Sequence, residues 1–317
     1  MRTLILPTLG ITEQPDPVPG EGQLLVRVHA AGLNRADLSQ RAGKYPAPAG
    51  WPADIPGLEY AGEVVGLGPG ATYFGLGERV MGLVGGGAMA ELIVVHQREA
   101  MSMPAGMSFG DAAAIPEAFL TAWDALVRQG RARGGDRVLI HAVGSGVGTA
   151  ASQLAPLLSL TLIGTSRTPD KLDRCRELGM TLGVLTTDAD WAEQVGEPVA
   201  VIIDTLGGDL FTASLGLLAY RGRLVVLGLL AGRVADELDL GLVLRNRLTI
   251  VGTAMRSRGA EERGELIERF TQEVLPHFGR GTLRPIVDQV VPMREAAAAY
   301  DLLASNRTFG KVVLAWD

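Results

Sequence analysis

The chain has 317 residues, 47% of them hydrophobic and 20% charged, with a net charge of -6, the balance of an ordinary folded protein long enough to bury two cores. Its 29 basic and 35 acidic residues form no cationic stripe, which excludes nucleic acid as a default partner. No apolar run reaches the roughly 18 residues of a membrane span and no long apolar core follows Met1-Arg2-Thr3, so a cytoplasmic protein with no membrane partner is expected.

From about residue 20 to 100 the chain consists of short β-like runs broken by glycine and proline: Leu24-Leu25-Val26-Arg27-Val28, Glu63-Val64-Val65, Arg79-Val80-Met81 and Leu92-Ile93-Val94-Val95. These predict a compact, twisted β domain. The composition changes near Ser108-Phe109-Gly110-Asp111, where Ser108 or Asp111 is placed to cap an alanine-rich helical stretch. From residue 137 the rhythm is strand, helix, strand, with apolar runs at Arg137 to Ala142, Leu160 to Gly164, Val199 to Asp204, Leu224 to Leu229 and Leu248 to Val251. Strands buried on both faces read this way, and the helical lengths between them imply a doubly wound parallel sheet. After about residue 257 a helical stretch is expected, Glu261 to Phe278. The closing strand, Gly310-Lys311-Val312-Val313-Leu314, is expected to return to the first domain. No internal repeat and no low-complexity linker is visible.

The 42 glycines, about 13% of the chain against a usual figure of roughly 7%, indicate tight turns and close approaches of backbone to a ligand. One cluster has a specific form. The strand ending at Ala142 runs into Val143-Gly144-Ser145-Gly146-Val147-Gly148-Thr149-Ala150-Ala151, and from Gly146 this fits G-x-G-x-x-A between a strand and a helix, the pattern that places a pyrophosphate on a helix N-terminus. The alternative is a glycine-rich turn used only for packing. An NAD site places a carboxylate about twenty residues further on, where this chain has Ser166 and Arg167, with Lys171 following and no carboxylate before Asp170. Hydroxyl and cationic donors there suit a 2′-phosphate, so NADPH is the expected cofactor. The alternative for Arg167 and Lys171 is a pair of solvated charges at a helix start.

Several stretches together resemble the zinc-lacking quinone oxidoreductases of the medium-chain dehydrogenase/reductase superfamily, in particular the p53-inducible type. They are Asn34-Arg35-Ala36-Asp37-Leu38 with Gly43-Lys44-Tyr45, Gly57-Leu58-Glu59, Ala113 to Ala118, Ser145 to Ala151, Asp204 to Gly208, Arg256-Ser257-Arg258 and Leu275-Pro276-His277-Phe278. The resemblance implies an α/β chain in which a GroES-like, β-rich catalytic domain (residues 1–119 and 258–317) flanks a Rossmann NADP-binding domain (residues 120–257). It also implies NADPH in the cleft and a homodimer. It puts Ser145, Gly146, Val147 and Gly148 at the pyrophosphate and Ser166, Arg167 and Lys171 at the 2′-phosphate. Thr121 would reach the nicotinamide, and Leu206, Gly228, Leu229, Thr253, Ala254 and Met255 would line the remainder of the cofactor. At Thr186 this chain departs from relatives that often carry a Tyr at the adenosine phosphate.

Zinc members of that superfamily carry a Cys where Asn34 stands and a His where Leu58 stands. With Cys175 as its single cysteine and with His29, His96, His141 and His277 scattered, the chain is expected to hold no metal and no disulfide framework. A quinone needs less polarisation than a ketone, so a neutral donor can replace the metal. Asn34 and Tyr45 are the candidate catalytic residues, with Asp37 bracing their loop. An unperturbed phenol near pKa 10 is a reluctant acid at neutral pH, which leaves open whether Tyr45 delivers a proton or only orients substrate. The expected activity is NADPH-dependent reduction of a quinone or other electrophilic small molecule, by one or two electrons. Two alternatives stand beside it: reduction of an activated carbon–carbon double bond in an enone or enoyl thioester, and a nucleotide-binding structural protein without turnover.

Overall fold

The computed structural model describes residues 1–235 and 237–317. The chain divides into two compact units, Met1–Leu120 with Met255–Asp317, and Thr121–Ala254.

In the first unit, alternating runs such as Gln23–Leu33 form a seven-stranded sheet. Its order is Val287–Pro292, Lys311–Ala315, Gln23–Leu33, Glu59–Leu67, Arg79–Leu83 and Ala100–Ser102, with Leu92–His96 also paired to Gln23–Leu33. All pairings are antiparallel except that of Val287–Pro292 with Lys311–Ala315. The closing strand therefore lies beside Gln23–Leu33. Leu24, Val26, Val28, Tyr60, Val64, Val312 and Leu314 supply the buried face, which the helix Ala296–Ala304 covers through Ala296, Ala299 and Tyr300. The expected helical stretch consists of two helices, Ala260–Glu273 and Leu275–Gly279. Pro276 accounts for the break, since a proline ring inside a helix clashes with the carbonyl four residues earlier and offers no N–H.

The second unit is a six-stranded, wholly parallel sheet. Its order is Leu182–Leu185, Thr161–Ser166, Arg137–Ile140, Val199–Asp204, Leu218–Val226 and Thr249–Gly252. Numbered along the chain this is 3-2-1-4-5-6, the doubly wound order whose direction reverses between the first and fourth strands. Leu139, Ile163, Val184, Ile202 and Leu224 form the centre of its core, as expected for strands covered on both faces. Ligands of such sheets bind at the carboxyl ends of the strands, where Gly146–Leu157, the helix after the first strand, begins.

Candidate active site

The candidate site residues fall into two sets, one in each unit. In the first unit the sheet register assembles the set. Gly32 pairs with Glu59 and Leu33 with Val312, which brings Glu59 and Lys311 to Asn34, just past the end of the strand. Lys311 Nζ donates to the Leu33 carbonyl at 3.0 Å and to Asn34 Oδ1 at 2.5 Å, and it lies 2.6 Å from Glu59 Oε1. Asn34 Nδ2 donates to the Gly32 carbonyl at 3.2 Å and to Glu59 Oε1 at 2.9 Å. The second oxygen of Glu59 accepts the Glu117 backbone N–H at 2.8 Å. Asp37 accepts the N–H groups of Asn34 at 2.8 Å and Gly57 at 3.0 Å, so it does brace the loop. Space for the Glu59 carboxylate comes from Gly32, where a Cβ would lie 2.2 Å from Glu59 Oε1 and 2.6 Å from the Ala113 carbonyl.

Burial shifts two of the carboxyls here, Asp37 and Glu117. Asp37, Glu59 and Lys311 are all buried. Desolvation pushes the Asp37 carboxyl up to about 6, against the pull of its two N–H donors and of Lys311. Desolvation, and then the Glu59 charge, pushes Glu117 up to about 8. Glu117 is half-buried, and its Oε2 is buried without a hydrogen-bond partner among the described residues. Burial and the neighbouring Glu59 charge both favour its protonated form.

These residues do not fit a metal. The Lys311 ammonium stands 2.5 Å from Asn34 Oδ1, a cation where a metal ion would need a free donor, and the buried Leu58 offers no donor atom. Among the described residues no group of three or more His, Cys, Asp or Glu could hold a metal ion. The expected role of Asn34 as a donor to substrate also needs revision. Both of its amide hydrogens are directed to Gly32 and Glu59, so the role left to it is to position the cluster.

Tyr45 differs. It follows the helix Arg35–Arg41, and Arg256 fixes its loop: Nε donates to the Gly85 carbonyl at 2.7 Å, Nη1 to the Tyr45 carbonyl at 3.0 Å and Nη2 to Gln40 Oε1 at 2.8 Å. The guanidinium carbon lies 5.1 Å from the centre of the Tyr45 ring. Burial first, and then the negative charge of Glu117, raise the phenol above its ordinary pKa. Tyr45 thus stays protonated through the neutral range and can act as a hydrogen-bond donor. A cavity of about 670 Å³ in the same unit is lined by Trp51, Pro52, Ile93, Arg256 and Arg258 among others. Neither Asn34 nor Tyr45 lines it.

In the second unit the strand Arg137–Ile140 leads through Ala142, at φ 52°, into the glycine-rich turn. Ser145 caps the helix Gly146–Leu157 and accepts the Gly148 N–H at 3.1 Å. The first amides of a helix have no internal acceptor, and with the helix dipole they suit an anion. Gly148 is required by the turn itself, because a Cβ there would lie 2.2 Å from the Val143 carbonyl oxygen. Ser166 ends the adjacent strand, buried, with its hydroxyl accepting the Thr168 N–H at 3.1 Å. Arg167 is exposed, and the aliphatic stem of the half-buried Lys171 packs at Gly144. The Thr186 hydroxyl points to the Ser166 carbonyl at 3.4 Å.

The other cofactor candidates lie at or beyond the carboxyl ends of later strands. Leu206 and Gly207 donate backbone N–H to Asp204 Oδ1 at 2.8 and 2.9 Å. Gly228 packs on Thr205, and Leu229 is exposed. Thr253 Oγ1 donates to Asp124 at 3.1 Å, and Ala254 ends the unit. Met255 belongs to the first unit and is buried. Thr121, on the helix Pro116–Trp123, has a buried hydroxyl with no hydrogen-bond partner among the described residues, as does Asp204 Oδ2. Buried polar atoms left in this way are what a bound ligand can satisfy, so the residues present fit a dinucleotide. His141, fully buried between the Thr165 and Ser214 hydroxyls at 2.9 and 2.8 Å, is lowered to about 4 by burial and braces the strand end. Burial raises the Cys175 thiol to about 11, which keeps it unreactive.

Sequence reasoning did not single out Glu59, Glu117, Arg256 or Lys311 as site residues. The available signals were Gly32 interrupting an apolar strand and Lys311 opening another.

Comparison with known proteins extends this geometry. Residues 20–105 match the alcohol dehydrogenase GroES-like domain and residues 146–272 the zinc-binding dehydrogenase family. A quinone oxidoreductase of Pseudomonas aeruginosa is 34% identical over 302 residues, covering 93% of this chain and 92% of that one. The crystal structure of a quinone oxidoreductase from Pseudomonas syringae aligns with a TM-score of 0.88 and 28% identity over 99% of this chain and 100% of that one. CurK enoyl reductase aligns with a TM-score of 0.86 and 25% identity over 99% and 97%.

Proposed function

Because the chain belongs to the medium-chain dehydrogenase/reductase superfamily, we propose that it is a zinc-independent, NADPH-dependent reductase whose acceptor is a quinone. The bound cofactor supplies hydride from the reduced nicotinamide. Ser145 to Gly148 would hold the pyrophosphate, Ser166, Arg167 and Lys171 the 2′-phosphate, and Thr121 the nicotinamide end. Leu206, Gly228, Leu229, Thr253, Ala254 and Met255 would line the remainder.

The observation that carries the reading is the buried Lys311–Asn34–Glu59 network, which sets an ammonium beside Asn34 and leaves the Tyr45 phenol as the neutral donor of this reading. A directed hydrogen bond to the acceptor oxygen is enough for a quinone, which is already a strong electrophile, and would be weak assistance to a simple ketone. Asn34, Glu59 and Lys311 hold the loop, and Arg256 orients the phenol. The names of the two bacterial quinone oxidoreductases support this acceptor. The likeness to CurK enoyl reductase favours an enoyl thioester as the second reading. Homodimer formation through the second unit is part of the proposal, supported by Leu244 and Ile250, which stand exposed at its edge.

Initial rates of NADPH oxidation with a quinone, an enone and an enoyl thioester test the assignment. The quinone is expected to give the highest kcat/KM. Turnover confined to the thioester would transfer the chain to the second reading, and NADPH binding without oxidation by any acceptor would leave a structural protein.

A further inference from the structure

The second unit holds a cavity of about 530 Å³ at the amino ends of its strands, the edge opposite the glycine-rich turn. Five arginines line it: Arg131, Arg133, Arg221, Arg223 and Arg247. The one carboxylate in the lining, Asp136, already accepts the Arg133 backbone N–H at 2.8 Å. Arg223 Nε is bound to the Gln129 carbonyl at 2.7 Å. The other four guanidiniums form no hydrogen bond or ion pair with a described residue.

The chain is shaped to gather them. Val201, Arg223 and Thr249 stand in register on three adjacent strands, at or near the strand starts. Between Leu218, opposite Val199, and Arg223, opposite Val201, the residues Ala219 to Gly222 loop out of the ladder. That loop presents Arg221 and the exposed Tyr220. Arg131, Arg221 and Arg247 all adopt left-handed φ, at 55°, 63° and 52°, a conformation uncommon for any residue but glycine. Arg223 is held below the usual arginine range by burial and then by the positive charge of Arg131.

We propose that this cavity is a second ligand site, distinct from the dinucleotide site, for a small molecule bearing a chain or pair of phosphoryl groups. Guanidinium forks match phosphoryl oxygens in charge and geometry. Five arginines against one carboxylate leave four positive charges, which a single phosphate cannot balance and a polyphosphate can. The volume lies in the ordinary range of small-molecule pockets. Tyr220 gives the rim an aromatic face on which an organic body can rest. The dinucleotide end is remote: from Val201 to Asp204 is three residues, roughly 10 Å along the strand, and the turn lies beyond.

Calorimetry on the full-length protein, saturated with NADPH to block the dinucleotide site, tests the proposal with tripolyphosphate, adenosine triphosphate and inorganic phosphate as probes. Tripolyphosphate is expected to bind about 100-fold more tightly than phosphate. Arg221→Gly with Arg247→Gly, which relaxes both left-handed positions while removing two cations, should weaken it by about 100-fold. Arg280→Ala, outside the cavity, should leave it unchanged, and an unaltered melting temperature confirms that the double variant is folded. If Tyr220→Ala weakens the nucleotide alone, the ligand has an organic body; if it weakens neither probe, the site takes the phosphate chain by itself, and both results support the site. The proposal is overturned if tripolyphosphate does not bind at millimolar concentration, or if the Arg280 variant loses as much affinity as the double variant. It is equally overturned if sedimentation shows self-association excluding the probe, because a second copy then occupies the arginines.

Discussion

The two functional regions are made of different materials. The glycine-rich end of the parallel sheet is built from backbone: a capped helix start, a glycine without room for a Cβ, and strand ends whose amides are already placed. The cluster around Asn34 is built from side-chain charge, with Asp37, Glu59 and Lys311 buried together by strands and loops far apart in the chain. A site made of backbone tolerates loss of most side chains. A site made of buried charge should respond sharply to the loss of one.

The largest expected effect follows from that contrast. Lys311→Ala leaves Glu59 without its cation and Asn34 Oδ1 without a donor, and breaking one side of a buried pair costs about 3–5 kcal/mol. Urea unfolding measures it. Lys311→Met combined with Glu59→Gln should recover much of the loss, because the uncompensated charge is then gone; no recovery would mean that packing, not charge, holds the region.

The same cluster should make stability depend on pH. The Glu117 carboxyl goes from its ordinary 4.5 to about 8 on folding. The folded state therefore binds the extra proton between these values, and stability falls as pH rises through that window. Asp37, raised from 3.8 to about 6, acts in the same direction over a lower range. Replacing Glu117 by Gln keeps a neutral side chain at all pH values and should flatten the decline between pH 6 and 8. Equal slopes for parent and variant would place the titration elsewhere.

Tyr45→Phe removes the donor proposed for the acceptor while keeping the ring under Arg256. Quinone turnover should fall by about 10²-fold with NADPH affinity nearly unchanged. An unaltered kcat would reduce Tyr45 to a wall residue. At the nucleotide end, Arg167→Ala with Lys171→Ala should lower the NADPH-to-NADH preference by roughly 10²-fold, discounted for the exposure of Arg167 and weakening further as salt rises. A preserved ratio would show that these cations do not read the 2′-phosphate.

This contrast also explains what the sequence makes legible. The parallel sheet follows from apolar runs and helical spacings, and the turn at Ser145 to Gly148 is contiguous, so local rules reach it. The charge cluster depends on register: Glu59 meets Asn34 only because Gly32 pairs with Glu59, and Lys311 meets both only because the last strand lies beside Gln23–Leu33. No spacing rule connects residues 34 and 311. Asn34 was visible through the family resemblance, but its commitment to Glu59 and Lys311 was not. The break before Pro276 was legible in principle, since the proline is plain in the sequence and the helical pattern was carried across it.

The smallest expected effect tests the backbone half of the comparison. Ser145 is the N-cap of Gly146–Leu157, and its hydroxyl accepts the Gly148 N–H at 3.1 Å. Ser145→Ala removes that acceptor and should cost about 1 kcal/mol, the usual loss for an N-cap truncation. The amides of the first turn and the helix dipole remain, so the NADPH Michaelis constant should change by less than about 10-fold. Thermal unfolding and NADPH titration on one preparation separate the two quantities. A loss of cofactor affinity far above this, with stability hardly changed, would show that the Ser145 side chain binds the cofactor directly, and the nucleotide end would then resemble the charge cluster in depending on a particular side chain.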